Sequence, residues 1–139
     1  MQNNNSIDQG PNPSVINIAN ETLKNDTYRT AIWTGNNMQA TVMSINPKDD
    51  VGLEIHPDND QFFRIESGCG MVLAGKSKDN LTFQQCVRDD DAIFIPKGTW
   101  HNIVNLGNKP LKFYTIYAPP HHPHGVVHAT KEIAEAEGD

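Results

Sequence analysis

Two stretches of the sequence decide the fold and the chemistry: GLEIHPDNDQ at residues 52–61 and PKGTWH at residues 96–101. Side chains alternate between the two faces of a β-strand, so Glu54 and His56 project from the same side. Both side chains can therefore reach one ion. The first stretch predicts half of a metal site.

Two turns supply the other half of the predicted site. Pro57 cannot donate a hydrogen bond to a sheet, and the DND sequence after it favours a turn, so the chain should reverse and return Gln61 beside His56. In the second stretch, a Pro-Lys-Gly turn precedes a strand that carries His101 near its start. The predicted metal ligands are Glu54, His56, Gln61 and His101.

Apolar segments separated by turn residues continue through the middle of the chain. Their spacing of roughly 8–12 residues predicts short antiparallel strands that form a sandwich or barrel, so the predicted fold class is all-β. The interior of such a barrel holds one small ligand. The predicted strands are residues 28–33, 39–45, 51–56, 61–66, 71–74, 81–87, 92–95, 100–105 and 112–118.

These motifs resemble the pair that marks the cupin superfamily, G(X)5HXH(X)3-4E(X)6G and G(X)5PXG(X)2H(X)3N. In the first motif, Glu54 stands at the first His, His56 at the second His and Gln61 at the acidic ligand. The other matching positions are Gly68, Pro96, Gly98, His101 and Asn105, whereas Lys48 and Asp90 replace the opening glycines. The resemblance covers the central two thirds of the chain. It implies a cupin-type double-stranded β-helix, a jelly-roll barrel with short helical segments at both ends.

The ligand types imply a particular charge. A divalent ion with one carboxylate, one amide and two neutral imidazoles keeps a formal charge of about +1, as it does with the usual three-His-one-Glu set. The set also resembles the Gln, His, Glu, His zinc site of cupin-type mannose-6-phosphate isomerases. We therefore expect one divalent metal ion, with zinc favoured and manganese, iron, nickel or cobalt as alternatives.

Each ligand also has a structural interpretation. Either His could be an ordinary hydrogen-bonded strand residue, and Glu54 could be an exposed carboxylate whose place is taken by Asp58 or Asp60. An amide oxygen is a weak ligand, so Gln61 could instead contact His56 and orient its ring without binding the metal itself.

The substrate pocket should be lined by inward side chains and by the residues that follow the last strand. The strand candidates are Met43, Phe63 and Trp100, for which core packing is the alternative role. Three closely spaced histidines come next, in the Pro-rich sequence PPHHPHG. This tail should pack across the barrel mouth rather than close a second metal site, because its prolines enforce an extended path. The tail candidates for the pocket are His121, His122 and His124.

The predicted organisation has three parts. Residues 1–27 form a polar N-terminal arm and a short helix, residues 28–118 form the barrel, and residues 119–139 form the His/Pro-rich tail and a short acidic helix. We expect residues 1–13 to be mobile and residues 14–24 to be helical. Thr130 is the predicted N-cap of the last helix.

Composition limits the classes of partner. The 139 residues carry a net charge of −6, with no cluster of Lys or Arg, which argues against nucleic acid and against an anionic membrane surface. The absence of an export signal predicts a cytoplasmic protein. Cys69 and Cys86 should be reduced. By resemblance to other cupins we expect a homodimer, with residues 28–33 as the contact, and a small-molecule substrate.

Three functions are compatible with a metal that keeps an open coordination position. The first is an aldose–ketose isomerase acting on a small sugar or sugar phosphate, in which His121, His122 or His124 moves a proton and Lys97 contacts an anion. The second is a cupin dioxygenase with a redox-active metal. The third is a non-catalytic module that binds or senses a small molecule.

Overall fold

Residues 7–138, which the computed structural model of this chain describes, form nine strands and two short helices. The strands are β1 (Arg29–Thr34), β2 (Gln39–Ile45), β3 (Asp60–Ser67), β4 (Cys69–Gly75), β5 (Phe83–Arg88), β6 (Ala92–Ile95), β7 (Trp100–Asn105), β8 (Leu111–Ala118) and β9 (Val127–His128). The helices are α1 (Ile18–Lys24) and α2 (Lys131–Ala136).

The strands form two antiparallel sheets. The larger sheet has the order β6-β3-β8-β2-β1-β9, and the smaller one has the order β5-β4-β7. Strands distant in the sequence are neighbours in both sheets, as in a jelly roll. The predicted all-β fold class is confirmed.

The core lies between the two sheets. Within the large sheet, Phe113 on β8 is paired with Met43 on β2 and with Ile65 on β3, and all three side chains are buried. Because side chains alternate between the two faces of a strand, every second residue of each strand contributes to a row of side chains that points into the core. Met43, a candidate for the pocket wall, thus packs in the apolar core.

The predicted strand at residues 51–56 is not a regular strand. This segment makes single bridges to β7, one of which pairs Glu54 with His101. Gly52 has φ +94°, a left-handed conformation that interrupts an extended strand. The prediction of a strand here was wrong, although the segment still lies against β7.

The N-terminal arm is packed over part of its length, which corrects the expectation of mobility there. The Asp8 carboxylate accepts hydrogen bonds from the Gly10 and Gly125 backbone N–H groups and from the Thr34 hydroxyl. The Trp33 indole N–H donates to the carbonyl of Asn12. Residues 1–6 of the predicted arm lie outside the described residues.

Both helices are short and begin at a side-chain cap. Asn17 accepts a hydrogen bond from the Asn20 N–H, so α1 begins at Ile18 rather than at residue 14. Thr130 caps α2 by accepting from the Ile133 N–H, which confirms the predicted N-cap. No helix among residues 7–138 is long and apolar enough to cross a membrane.

The tail contributes a strand to the large sheet. β9 pairs with Arg29 and Thr30 of β1, so the sheet continues beyond residue 118. The chain itself thereby covers the first half of the segment expected to form a dimer contact. The homodimer stays a prediction.

The fold predicts that truncating two leucines has very different effects on the free energy of unfolding. Leu111 is fully buried, whereas Leu106 is 56% exposed. We expect Leu111→Ala to lower the free energy of unfolding by about 2–5 kcal/mol because it leaves a cavity, and Leu106→Ala to change it by less than about 0.5 kcal/mol. Urea unfolding of both variants measures the two effects. Equal losses would show that the core does not lie where the structure places it.

Candidate metal centre

A backbone pairing joins the two halves of the site. The Glu54 N–H donates to the His101 carbonyl at 3.0 Å, and the His101 N–H donates to the Glu54 carbonyl at 2.9 Å. A further backbone bond runs from the Gly98 N–H to the His56 carbonyl. These bonds hold the two motif stretches side by side, although the bonded residues lie more than forty positions apart in the sequence.

The side chains of three predicted ligands converge. Glu54, His56 and His101 each offer a donor atom, and these atoms lie within 4.8 Å of one another. The Glu54 carboxylate oxygens lie 3.5 Å from Nε2 of His56 and 3.7 Å from Nε2 of His101. Ligands bound at about 2.1 Å on one ion are separated by roughly 3–3.5 Å. A small contraction around a cation would satisfy this geometry.

Gln61 completes the group through its carbonyl oxygen. Its amide N–H donates to the Thr115 hydroxyl at 2.9 Å, which turns Oε1 toward Nε2 of His101 at 3.2 Å. The other ring nitrogen of His101 lies 2.9 Å from the Thr99 carbonyl. A carbonyl can only accept, so Nδ1 carries the hydrogen and Nε2 of the neutral ring presents a lone pair. His101 and Gln61 thus bring a ring nitrogen and an amide group together beside the converging ligands.

Several buried polar atoms at the centre have no hydrogen-bond partner within residues 7–138. Both ring nitrogens of His56 and Oε2 of Glu54 are buried and make no hydrogen bond within residues 7–138. Leaving buried polar atoms unsatisfied costs about 1–3 kcal/mol each. A divalent cation would use lone pairs that the fold otherwise leaves unused, so the residues present fit a metal.

The charges of the site favour the ligating protonation states. Burial would raise the pKa of Glu54, but contact with His56 and the charges of His56, His101 and Arg29 outweigh it and lower this pKa. Burial lowers the pKa of His101, against the opposing effect of Glu54. A carboxylate and a neutral imidazole are the forms that bind metals.

The alternative ligands for Glu54 are turned elsewhere. Asp58 and Asp60 are exposed. Asp60 accepts a hydrogen bond from the Lys97 backbone N–H. Neither aspartate belongs to the converging group.

The tail crosses the mouth of the barrel beside His56. The Gln39 side-chain oxygen accepts from the backbone N–H groups of His121 and His122, and its amide donates to the His122 carbonyl. Asn59 donates to the Pro119 carbonyl. These bonds set the His121 ring 4.3 Å from the His56 ring, between centroids.

The other tail histidines have different surroundings. His122 lies 3.3 Å from the Tyr117 hydroxyl. Burial, followed by the charge of Arg29 and neighbouring histidines, lowers its pKa to about 2. His124 contacts the Gly10 carbonyl and the Asp8 carboxylate. The structure therefore brings His121 to the centre and ties His124 to the arm.

The two aromatic candidates for the pocket wall, Phe63 and Trp100, also differ in position. The Phe63 ring is buried 6.1 Å from the His101 ring and forms part of the wall. Trp100 precedes His101 on β7 and pairs with Gly75 of β4. Neighbouring residues of a strand face opposite sides, so Trp100 lies on the face away from His101.

Sequence reasoning missed several polar residues of the interior. Arg29, Gln39, Thr41 and Thr115 are fully buried on β1, β2 and β8. The alternation of Gln39, Thr41 and Met43 was a usable signal, because these three share one face of β2. It was hidden because the residues between them, Ala40 and Val42, are also apolar enough to face a core.

A groove of about 410 Å³ lies outside this centre. Among residues 7–138, its lining contains no titratable side chain or metal ligand, so this part of the groove lacks the chemistry of a catalytic site. The lining residues are Pro13, Ser14, Ile16, Ile32, Trp33, Met38, Ala40 and Ile116.

The jelly roll and its converging side chains define a β-barrel protein with a candidate metal centre in its interior. Residues 41–117 match the family described as "Cupin domain". The chain belongs to the cupin family.

Its relatives include proteins with closely similar sequences. YrkC of Bacillus subtilis is 58% identical over 132 residues, which cover 95% of this chain and 71% of YrkC. The crystal structure of BH2720 from Bacillus halodurans is 58% identical, with a TM-score of 0.93, over 94% of this chain and 98% of that one. A Klebsiella pneumoniae protein with a double-stranded β-helix domain shares the fold at 18% identity and a TM-score of 0.64, over 84% and 98% of the chains.

The ligand geometry makes a direct prediction for metal binding. We expect His56→Ala and His101→Ala to abolish tight zinc binding, and Gln61→Ala to weaken it about 10- to 100-fold. His124→Ala is the matched control, because its ring contacts the arm. Elemental analysis and competition with a chelator measure stoichiometry and affinity. Full zinc occupancy in either of the first two variants would contradict this centre.

The low pKa of His122 predicts a loss of stability in mild acid. Its folded pKa of about 2 lies below the unfolded value of about 6.5, so between these values the unfolded chain binds a proton that the folded chain excludes. The free energy of unfolding therefore falls with pH below about 6.5, by up to about 1.4 kcal/mol per unit from this group. His122→Gln should make the fall shallower. Urea unfolding of the wild type and of His122→Gln at about pH 7 and about pH 5 tests this. An equal loss of the free energy of unfolding between the two pH values in both proteins would refute it.

Proposed function

We propose that this chain is a metal-dependent enzyme that binds one divalent cation through Glu54, His56, Gln61 and His101. The reaction that we propose is aldose–ketose isomerisation of a small sugar or sugar phosphate. The observation that carries the metal is the convergence of one ligand atom each from Glu54, His56 and His101 within 4.8 Å of one another. Zinc is the favoured ion because the ligand types resemble the zinc set of cupin-type mannose-6-phosphate isomerases, and manganese, iron, nickel and cobalt are the alternatives for such nitrogen and oxygen donors.

A bound divalent cation supplies Lewis-acid polarisation of a substrate carbonyl. The protein contributes the walls that exclude water and fix the substrate. Phe63 and Tyr117 are each 1% exposed, and the Tyr117 ring lies 5.6 Å from the His56 ring. Water exclusion strengthens every electrostatic interaction inside such a site.

His121 is the proposed proton carrier. An aldose–ketose isomerisation moves one proton from C2 to C1 and another from the C2 hydroxyl to the C1 oxygen, so it needs a group beside the metal that can take up and return a proton. His121 stands at the mouth with its ring 4.3 Å from His56. His122 has a pKa of about 2 and does not take up a proton at neutral pH, and His124 is held by Asp8 and Gly10. The position of its ring beside His56 therefore favours His121.

The experiment uses the zinc-loaded full chain without oxygen, with aldoses and sugar phosphates as substrates. We expect aldose–ketose interconversion that is unchanged when oxygen is admitted. His121→Gln should lower kcat by about 10²- to 10⁴-fold with the zinc stoichiometry unchanged. This variant keeps the backbone N–H that Gln39 binds.

Two outcomes would overturn the isomerase, and a third would overturn only the role of His121. Oxygen consumption with substrate turnover would support a dioxygenase instead. Saturable sugar binding without turnover would support a binding module. Full activity in His121→Gln would remove His121 from the mechanism.

A further inference from the structure

A cavity of about 330 Å³ opens where the edges of the two sheets meet. β6 is an edge strand of the large sheet and β5 is an edge strand of the small sheet, and residues of both strands line this cavity. A volume of this size suits a small organic ligand. The lining of this cavity, the gap pocket, includes Ala74, Lys76, Phe83, Phe94, Ile95 and Thr99.

The buried side of the gap pocket lies beside the metal centre. Ala74 is buried and is paired with His101 across β4 and β7. Ile95 is also buried and is paired with Gln61 across β6 and β3. Residues directly opposite each other on antiparallel strands have Cβ atoms about 4.5–5.5 Å apart. The gap pocket therefore lies one strand away from two of the proposed metal ligands.

A lining residue also contacts one of these ligands. The Thr99 carbonyl accepts a hydrogen bond from Nδ1 of His101 at 2.9 Å. The tail is held elsewhere, by Gln39 of β2, and β3 and β8 separate β2 from β6 in the large sheet. Within residues 7–138, no residue of the tail lines the gap pocket. This pocket is thus a side of the metal centre that the tail leaves open.

A tight loop forms the wall of the gap pocket at the end of β4. The Asn80 N–H donates to the Ser77 carbonyl at 3.0 Å, which closes the loop on itself. The loop packs so closely on β4 that a Cβ atom at Gly75 would overlap the Asn80 carbonyl oxygen. Glycine has no Cβ and so permits this approach. The contact fixes Asn80 and Lys76 on one side of the pocket.

Two aromatic rings flank the gap pocket and are exposed to solvent. Phe83 is 53% exposed and Phe94 is 74% exposed. Phe94 packs edge-on against Phe62, with 5.1 Å between the ring centroids, which restricts its movement. Pockets for small ligands combine such rings with a few polar groups. The C–H groups of a sugar can pack on the rings while its hydroxyls meet the polar atoms of the wall.

The charges around the gap pocket favour an anion. Lys76 lines the pocket and forms no ion pair within the part of the chain that the structure describes. Lys97 lies in the turn before β7, where its backbone N–H donates to the Asp60 carboxylate at 2.9 Å. In the loop, the charges of Lys78 and Asp79 cancel. Positive charge is therefore in excess here, on a chain whose net charge is −6.

We infer that the gap pocket binds the end of the substrate that does not react at the metal, and that this end carries the negative charge of a sugar phosphate or a sugar acid. This inference rests on the proposed function and narrows its substrates to anionic sugars. Lys76 attracts the negative group, and Phe83 and Phe94 pack against the carbon skeleton. These three residues determine specificity and are not metal ligands.

The test measures binding to the zinc-loaded full chain by calorimetry, with glucose 6-phosphate, glucuronate and glucose as probes. We expect saturable binding of at least one anionic probe, and weaker binding of glucose. Lys76→Met should weaken binding of the anionic probe about 2- to 5-fold and leave the affinity for glucose unchanged, because an exposed ion pair contributes little and only the anion forms it. The anionic probe that responds distinguishes a phosphate from a carboxylate site.

A second variant tests the aromatic wall. Phe83→Ala should weaken binding of every probe about 5- to 20-fold, because it removes apolar contact area that charged and neutral sugars share. Lys78→Met is the matched control for Lys76→Met, because Lys78 lies in the same loop but does not line the pocket. Lys76 and Phe83 are exposed, so we expect unchanged unfolding temperatures and zinc stoichiometry in both variants.

The outcomes separate the gap pocket from the metal centre. Equal affinity in wild type, Lys76→Met and Phe83→Ala, or no binding of any probe to the zinc-loaded chain, would overturn the pocket and leave the metal centre standing. Tighter binding of glucose than of both anions would overturn the anionic class. Failure to bind zinc would overturn the proposed function. The same titrations on the zinc-free chain would then test the pocket alone, because Lys76 and Phe83 do not bind the metal.

Discussion

The candidate site depends on the two backbone hydrogen bonds between Glu54 and His101. They join an irregular segment to the start of β7 and so bring together ligands from two separate motifs. Glu54 and His56 stand two residues apart, and both side chains reach the centre although this segment is not a regular strand. Without this pairing the barrel would keep its sheets, but the donor atoms would not share one point.

Hydrogen-bond accounting explains why a cation suits that point. The Thr99 carbonyl accepts from Nδ1 of His101, which leaves Nε2 of that ring available to a metal. Both ring nitrogens of His56 and Oε2 of Glu54 are buried and make no hydrogen bond within residues 7–138. A water-filled surface could tolerate such an arrangement, but burial makes it costly unless a cation compensates it.

The tail links the mouth of the barrel to its interior. Gln39 holds its backbone on one side, and β9 then returns to pair with β1. His128 carries this connection to the buried charge of Arg29. A segment that looks like a detachable appendage in the sequence therefore shapes both the entrance and the electrostatics of the site.

Strand alternation and turn chemistry are local, so the sequence by itself determined the all-β class and most strands, and with the motif resemblance it identified Glu54, His56 and His101 as a possible ligand group. Only the tertiary structure decided how residues 51–56 run, which tail histidine faces the centre, and where Arg29 lies. The physical reason is the distance along the chain over which each feature is decided. A strand pattern depends on neighbours two residues away, whereas the burial of Arg29 and the orientation of His121 depend on contacts made across about a hundred or about eighty residues of chain.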